Sequence, residues 1–203
     1  VRTKFTVTLN KKQLQKDVFV KGEKVVIGLV RPLVEKRILE EQDQMVEEFE
    51  NHPVSQEIWA GNEATNTSGL LGGYGNLFSF IGFEEGEDVI SPIAFIFRKK
   101  IPFTIKRAND YGKYLVTIEG PSKEEIFSKA KVGWMGGRSW IDGIEKGIAG
   151  LNRYLYDEDY GFANSVSGTG IQVKADVRGV SYKETEYVSK ILSDFKKRLS
   201  RLL

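Results

Sequence analysis

The chain has 203 residues, 40% of them hydrophobic and 29% charged, with a formal net charge of +2. That is the make-up of a folded chain with a real core, and it excludes a disordered or membrane-embedded one. There is no cysteine and a single histidine, His52, which removes disulfides, thiolate nucleophiles and sulfur-ligated zinc and leaves little room for a histidine-based catalytic pair.

In chain order, "KFTVTL" alternates Phe5, Val7 and Leu9 with polar residues, the period of a half-buried strand. From Glu23 to Glu50, Ile27, Val30, Val34, Ile38, Met45 and Phe49 recur at helical spacing. Pro32 either opens the straight part of that helix or kinks it. Its second half is acidic. His52 stands just before Pro53, where the helix should end, and reads as a surface or capping residue.

The stretch from Asn51 to Asn76 is rich in Asn, Thr, Ser and Gly and is expected to be an exposed irregular loop. Strands are expected at "NLFSFIGF", "VISPIAFIFRK", "PFTIKRA" and "KYLVTIEG", separated by turns at "EEGED" and "ANDYGK". Ser122 with Glu125 fits a capping box opening a short helix. Ser139 with Asp142 marks the next helix, carried by Ile141, Ile144, Ile148, Leu151 and Leu155 and punctuated by Gly143, Gly147 and Gly150. Glycines inside a helix are costly, so a second backbone is expected to pack against them.

"GIQVKADVR" alternates as a strand. Tyr187, Val188, Ile191, Leu192, Phe195, Leu199 and Leu202 then form the apolar stripe of a C-terminal helix whose last turns carry Lys196, Lys197, Arg198 and Arg201. This order predicts an α+β fold. A largely antiparallel sheet would have the long N-terminal helix, the glycine-containing helix and the C-terminal amphipathic helix on one face. A single domain over 1–203, with an insertion at about 121–138, accounts for the pattern.

The glycines Gly72, Gly73 and Gly75 do not make a phosphate loop, because the lysine and the helix such a loop needs are missing. The carboxylate groups Glu84, Glu85, Glu87, Asp88 and Asp157, Glu158, Asp159 sit in turn-like settings and read as solvated charge rather than as a hydrolase pair. No metal or cofactor is expected. The chain start lacks a secretory pattern and no apolar run reaches membrane-span length, so an aqueous location is expected.

Two features point to binding. Large apolar residues stand in loop-like settings, among them Trp59, Leu70, Leu71, Tyr74, Phe78, Trp134 and Trp140, and aromatics on flexible segments anchor interfaces well. The acidic long helix and basic terminal helix would suit head-to-tail contacts between copies, or could simply pack within one subunit. The alternative is a DNA-contacting accessory protein using Arg98, Lys99, Lys100, Lys196 and Lys197.

The segments "HPVSQEIWAG", "NTSGLLGGYGNLFSFIGF" and "GRSWIDGIEKGIAGLNRYL", with the closing strand and helix, resemble the virion structural proteins of the head-to-tail junction of tailed bacteriophages. These are the neck, tail-completion and tail-terminator group. The resemblance implies a protein that is not an enzyme. Its copies would form a sixfold or twelvefold ring in the virion, assembled in the host bacterial cytoplasm. Portal or connector proteins would adjoin the ring on one side and tail tube or sheath on the other, with DNA passing through the lumen. It makes the Ser68 to Gly75 loop a neighbour-contacting element, and the expected interface set is Trp59, Leu70, Leu71, Tyr74, Asn76 and Trp134.

Overall fold

A computed structural model of the protein describes residues 11–71, 75–107, 114–132, 137–147 and 184–200, with side chains in the first helix from Gly22 onward. The architecture mixes α and β. In chain order it comprises α1 (Lys11–Glu50), α2 (Pro53–Trp59), a 3-10 turn (Gly61–Glu63), α3 (Leu77–Ile81), α4 (Ser91–Arg98), β1 (Phe103–Arg107), β2 (Tyr114–Ile118), α5 (Lys123–Lys129), α6 (Trp140–Glu145) and α7 (Val188–Ser200). The chain divides into two compact units, a smaller one of Val1–Leu39 with Pro102–Glu119 and a larger one of Glu40–Ile101 with Gly120–Leu203.

In the smaller unit β1 and β2 form an antiparallel ribbon in which Phe103 faces Ile118, Ile105 faces Val116 and Arg107 faces Tyr114. The Glu119 amide donates to the Pro102 carbonyl at 3.0 Å, extending the pairing past the strand ends. The Arg31 guanidinium lies 5.2 Å from the Phe103 ring centre, close enough for a cation–π contact. Val34 and Ile38 of α1 are buried, whereas Val25, Leu29 and Leu33 are exposed. α1 runs unbroken through Pro32.

The larger unit is built on a chain of aromatic rings. Phe97 packs edge-on against Phe49 at 5.1 Å, Phe49 stacks on Tyr187 at 5.8 Å, Tyr187 meets Trp140 at 6.3 Å, and Trp140 packs edge-on against Phe83 at 5.8 Å. These five rings join α4, α1, the residue before α7, α6 and the turn after α3, and all are essentially free of solvent. Aromatic pairs in such geometries add stabilisation beyond the area they bury. Gln42 donates to the carbonyls of Phe97 at 2.6 Å and Lys99 at 2.7 Å. It thereby satisfies carbonyl oxygens that the end of α4 leaves without helical partners.

Two expected strands are helices. "NLFSFIGF" forms α3 because the Asn76 side chain accepts from the Ser79 amide at 2.9 Å and Gly82, at φ 84°, closes the helix by donating to Phe78. "VISPIAFIFRK" forms α4, with Pro92 in its first turn and Asp88 accepting from the Ile90 and Ser91 amides. A short apolar run fits strand and helix alike, and the caps at its ends decide. Among the described residues the β structure is therefore the antiparallel β1–β2 ribbon and an isolated bridge, Lys131 to Ser139, which keeps the α+β class with fewer strands at 76–99 than expected.

Ser122 and Ser139 cap α5 and α6 as their spacing predicts, accepting from the Glu125 and Asp142 amides. α6 ends at Glu145, and Gly147 follows at φ 68°, so Gly147 closes this helix instead of lying within it. The Glu145 carboxylate accepts from the Ser189 amide at 2.6 Å and caps the start of α7, where a negative charge suits the helix dipole. The expected strands at 4–9 and 170–178, and Ile148, Gly150, Leu151 and Leu155, lie outside the described residues.

Candidate functional site

The segment expected to be an irregular loop begins instead as α2. His52 caps that helix, its Nδ1 accepting from the Val54 amide at 3.3 Å, and Pro53 occupies the first turn, where no amide is needed. The His52 ring lies 4.5 Å from that of Tyr187. Burial pulls the His52 pKa below its usual range, partly offset by a hydrogen bond with the Glu186 backbone.

The next turn of α2 carries Glu57, which is buried at 1% exposure. Its two carboxylate oxygens accept from the Ser68 amide and the Leu77 amide, each at 2.7 Å. A buried carboxylate is tolerated when its lone pairs are filled by strong donors. Here the donors are the two ends of the glycine-bearing stretch, so Glu57 fixes the separation of Ser68 and Leu77. Asn76 adds a third tie, donating to the Asn62 carbonyl at 2.9 Å.

Two residues expected at a subunit boundary are thereby occupied within the chain. Leu71 is buried at 4% exposure, and Asn76, buried at 6%, is the cap of α3. Leu70 is half-buried. Phe78 and Trp140 are core residues. Tyr74 and Trp134 lie outside the described residues. Trp59 is 64% exposed. It borders an open groove of about 250 Å³ lined also by Ile58, Asn62, Phe78, Glu87, Asp88 and Ile90.

The basic residues divide in the same way. Arg98 pairs with Glu50, Lys99 with Glu125 at 2.6 Å, and Lys197 with Asp194 at 3.3 Å. Lys100 and Lys196 are exposed. Arg198 faces inward instead: its Nε donates to Glu41, and its terminal nitrogens donate to Glu48 at 2.7 and 3.3 Å. The acidic long helix and the basic terminal helix thus meet within one chain. Glu84, Glu85, Glu87 and Asp88 are exposed, in keeping with solvated charge, while Asp157, Glu158 and Asp159 lie outside the described residues.

Sequence reasoning did not single out Glu57, because its partners stand 11 and 20 positions away. Nor did it single out Val25, Leu29 and Leu33, which are 62%, 69% and 69% exposed and fall at steps of four along one face of α1. Among the described residues no three His, Asp or Glu side chains are grouped to hold a metal, and no helix is long and apolar enough to cross a membrane. The chain matches no protein-family model, no curated protein and no solved structure.

Proposed function

We propose that this chain is an assembly protein, which works by docking apolar surface onto other protein. The observation that carries this reading is the face of α1 formed by Val25, Leu29 and Leu33, exposed on a helix whose other side already buries Val34 and Ile38. Apolar residues aligned on one exposed helix face form the kind of patch that marks an interaction site. Exposed Trp59 and Phe95, at 64% and 66%, add to this support.

More particularly, we read it as a virion structural protein of the head-to-tail junction of a tailed bacteriophage, acting as a ring that joins head to tail and catalysing no reaction. What supports the narrower reading is the resemblance of the segments 52–61, 66–83 and 137–155 to that group. The ring would adjoin portal or connector proteins and the tail.

Light scattering over a range of protein concentrations tests the reading, followed by electron microscopy of any assemblies. The wild-type chain should form closed oligomers. Leu29→Glu with Leu33→Glu should dissociate them while leaving the helical circular dichroism unchanged. A wild-type chain that stays monomeric at high concentration defeats the assembly reading; oligomers without ring closure defeat the narrower one.

A further inference from the structure

The carboxylates are distributed unevenly. Between Arg37 and Arg98 the sequence holds twelve of them and not one lysine or arginine, although the whole chain carries a net charge of +2. Part of that anionic charge is answered within the larger unit, by Arg198 on Glu41 and Glu48 and by Arg98 on Glu50. Another part lies on the surface, where Glu87 and Asp88 share a groove with Trp59. Glu63, Glu84, Glu85, Glu87 and Asp88 are exposed, and none of them forms an ion pair among the described residues. Hydrogen bonds from the Ser91 side chain and amide hold the Asp88 carboxyl below the usual range, so it stays ionised.

The groove beside this cluster is lined by the exposed Trp59, by Glu87 and Asp88, and by Ile58, Phe78 and Ile90, which are themselves nearly covered. An indole face is the strongest aromatic partner for an ammonium or guanidinium group. Long basic side chains lay their methylene stems along apolar surface while keeping the charge at a polar rim. We infer that this groove docks a lysine- or arginine-bearing segment of a partner polypeptide. The stem of one basic residue lies along the exposed indole of Trp59, and its cation meets Glu87. Several carboxylates in one turn, from Glu84 to Asp88, match a run of cationic side chains better than a single small cation. This inference does not depend on ring formation or on the phage reading.

The test is a titration of the full chain, at low ionic strength, with a short lysine–arginine peptide and with the same peptide carrying glutamine at each basic position. Tryptophan emission and calorimetry follow the binding. The cationic peptide should bind saturably at one per chain and the neutral one should not. Trp59→Ala and the double variant Glu85→Gln with Glu87→Gln should each weaken binding by about tenfold. Asp43→Asn with Glu47→Gln, which removes the same charge from the exposed face of α1, should leave binding unchanged. Circular dichroism checks that every variant is folded. Equal weakening by both double variants would reduce the effect to bulk charge attraction and overturn the proposal. Equal binding of the neutral peptide, or no binding of the cationic one, would overturn it as well. So would a Trp59→Ala change that disrupts self-association while leaving peptide affinity intact, since the groove would then seat a second copy.

Discussion

The hydroxyls of Tyr187 and Ser55 lie 2.6 Å apart, and both residues are fully buried. Burial pushes the Tyr187 pKa far above the usual tyrosine range, so the phenol stays protonated. Removing one member of such a pair strands the other. Tyr187→Phe is therefore expected to cost about 1–2 kcal/mol, with part of that loss recovered when Ser55→Ala is added. Urea denaturation of the four proteins in the cycle measures the coupling, and strict additivity would show that the two hydroxyls do not depend on each other.

Glu57 holds the two ends of the Ser68 to Leu77 stretch through paired amide hydrogen bonds. Glu57→Ala leaves both amides without that acceptor and should cost about 2–4 kcal/mol. Glu57→Gln keeps one good acceptor and should fall between the alanine variant and wild type. Chemical denaturation gives the stabilities. Limited proteolysis supplies an independent check, since cleavage between Ser68 and Leu77 should quicken in the alanine variant.

The depressed pKa of His52 has a definite sign in the pH dependence of stability. Its folded value lies below 6.5, so in acid the unfolded state takes up the imidazole proton first and unfolding becomes easier. The contribution is whole above about pH 6.5 and is lost as the pH falls through the folded pKa. His52→Asn preserves a side-chain acceptor at the start of α2 and should flatten this part of the profile. Denaturation midpoints of both proteins between about pH 7.5 and about pH 5 provide the comparison. Parallel profiles would mean that His52 does not titrate differently on unfolding.

Arg198 serves two carboxylates at once, one of them, Glu41, only 2% exposed. Arg198→Met removes this charge partner from a buried Glu41 and should cost about 3 kcal/mol, much of it regained by adding Glu41→Gln. Arg198→Lys retains the charge without the planar fork and should be intermediate. Thermal melts of the single and double variants rank these effects. A methionine variant as stable as wild type would show that the cluster contributes nothing net.

What could be read in advance was what short-range chemistry controls. Ser122 and Ser139 announce α5 and α6 because each cap bonds an amide three residues on. Phe103 to Arg107 and Tyr114 to Ile118 alternate clearly enough to be recognised as strands. The apolar runs at 77–81 and 91–98 were illegible by periodicity alone, since five to eight apolar residues fit either period. The deciding signals were Asn76, Gly82, Asp88 and Pro92 at their borders. The site was less legible still: Trp59 stands out as a large residue two positions before a glycine, but its groove is assembled from α2, the turn at Gly61, Phe78 of α3 and the residues from Gly86 to Ile90. Burial of Leu71 and Asn76 likewise depends on partners that local pattern does not reveal.

The clasp on Arg198 also has a kinetic side. It links positions 157 apart, and long-range closures of this kind must be reached against chain entropy before they give anything back. During synthesis the ribosome releases Glu41, Phe49 and Ser55 well before Tyr187 and Arg198 exist. Until α7 emerges, the nascent chain therefore presents an unfinished aromatic core and lacks Arg198 opposite Glu41 and Glu48, and this interval is when it is most open to chaperones and to misassembly.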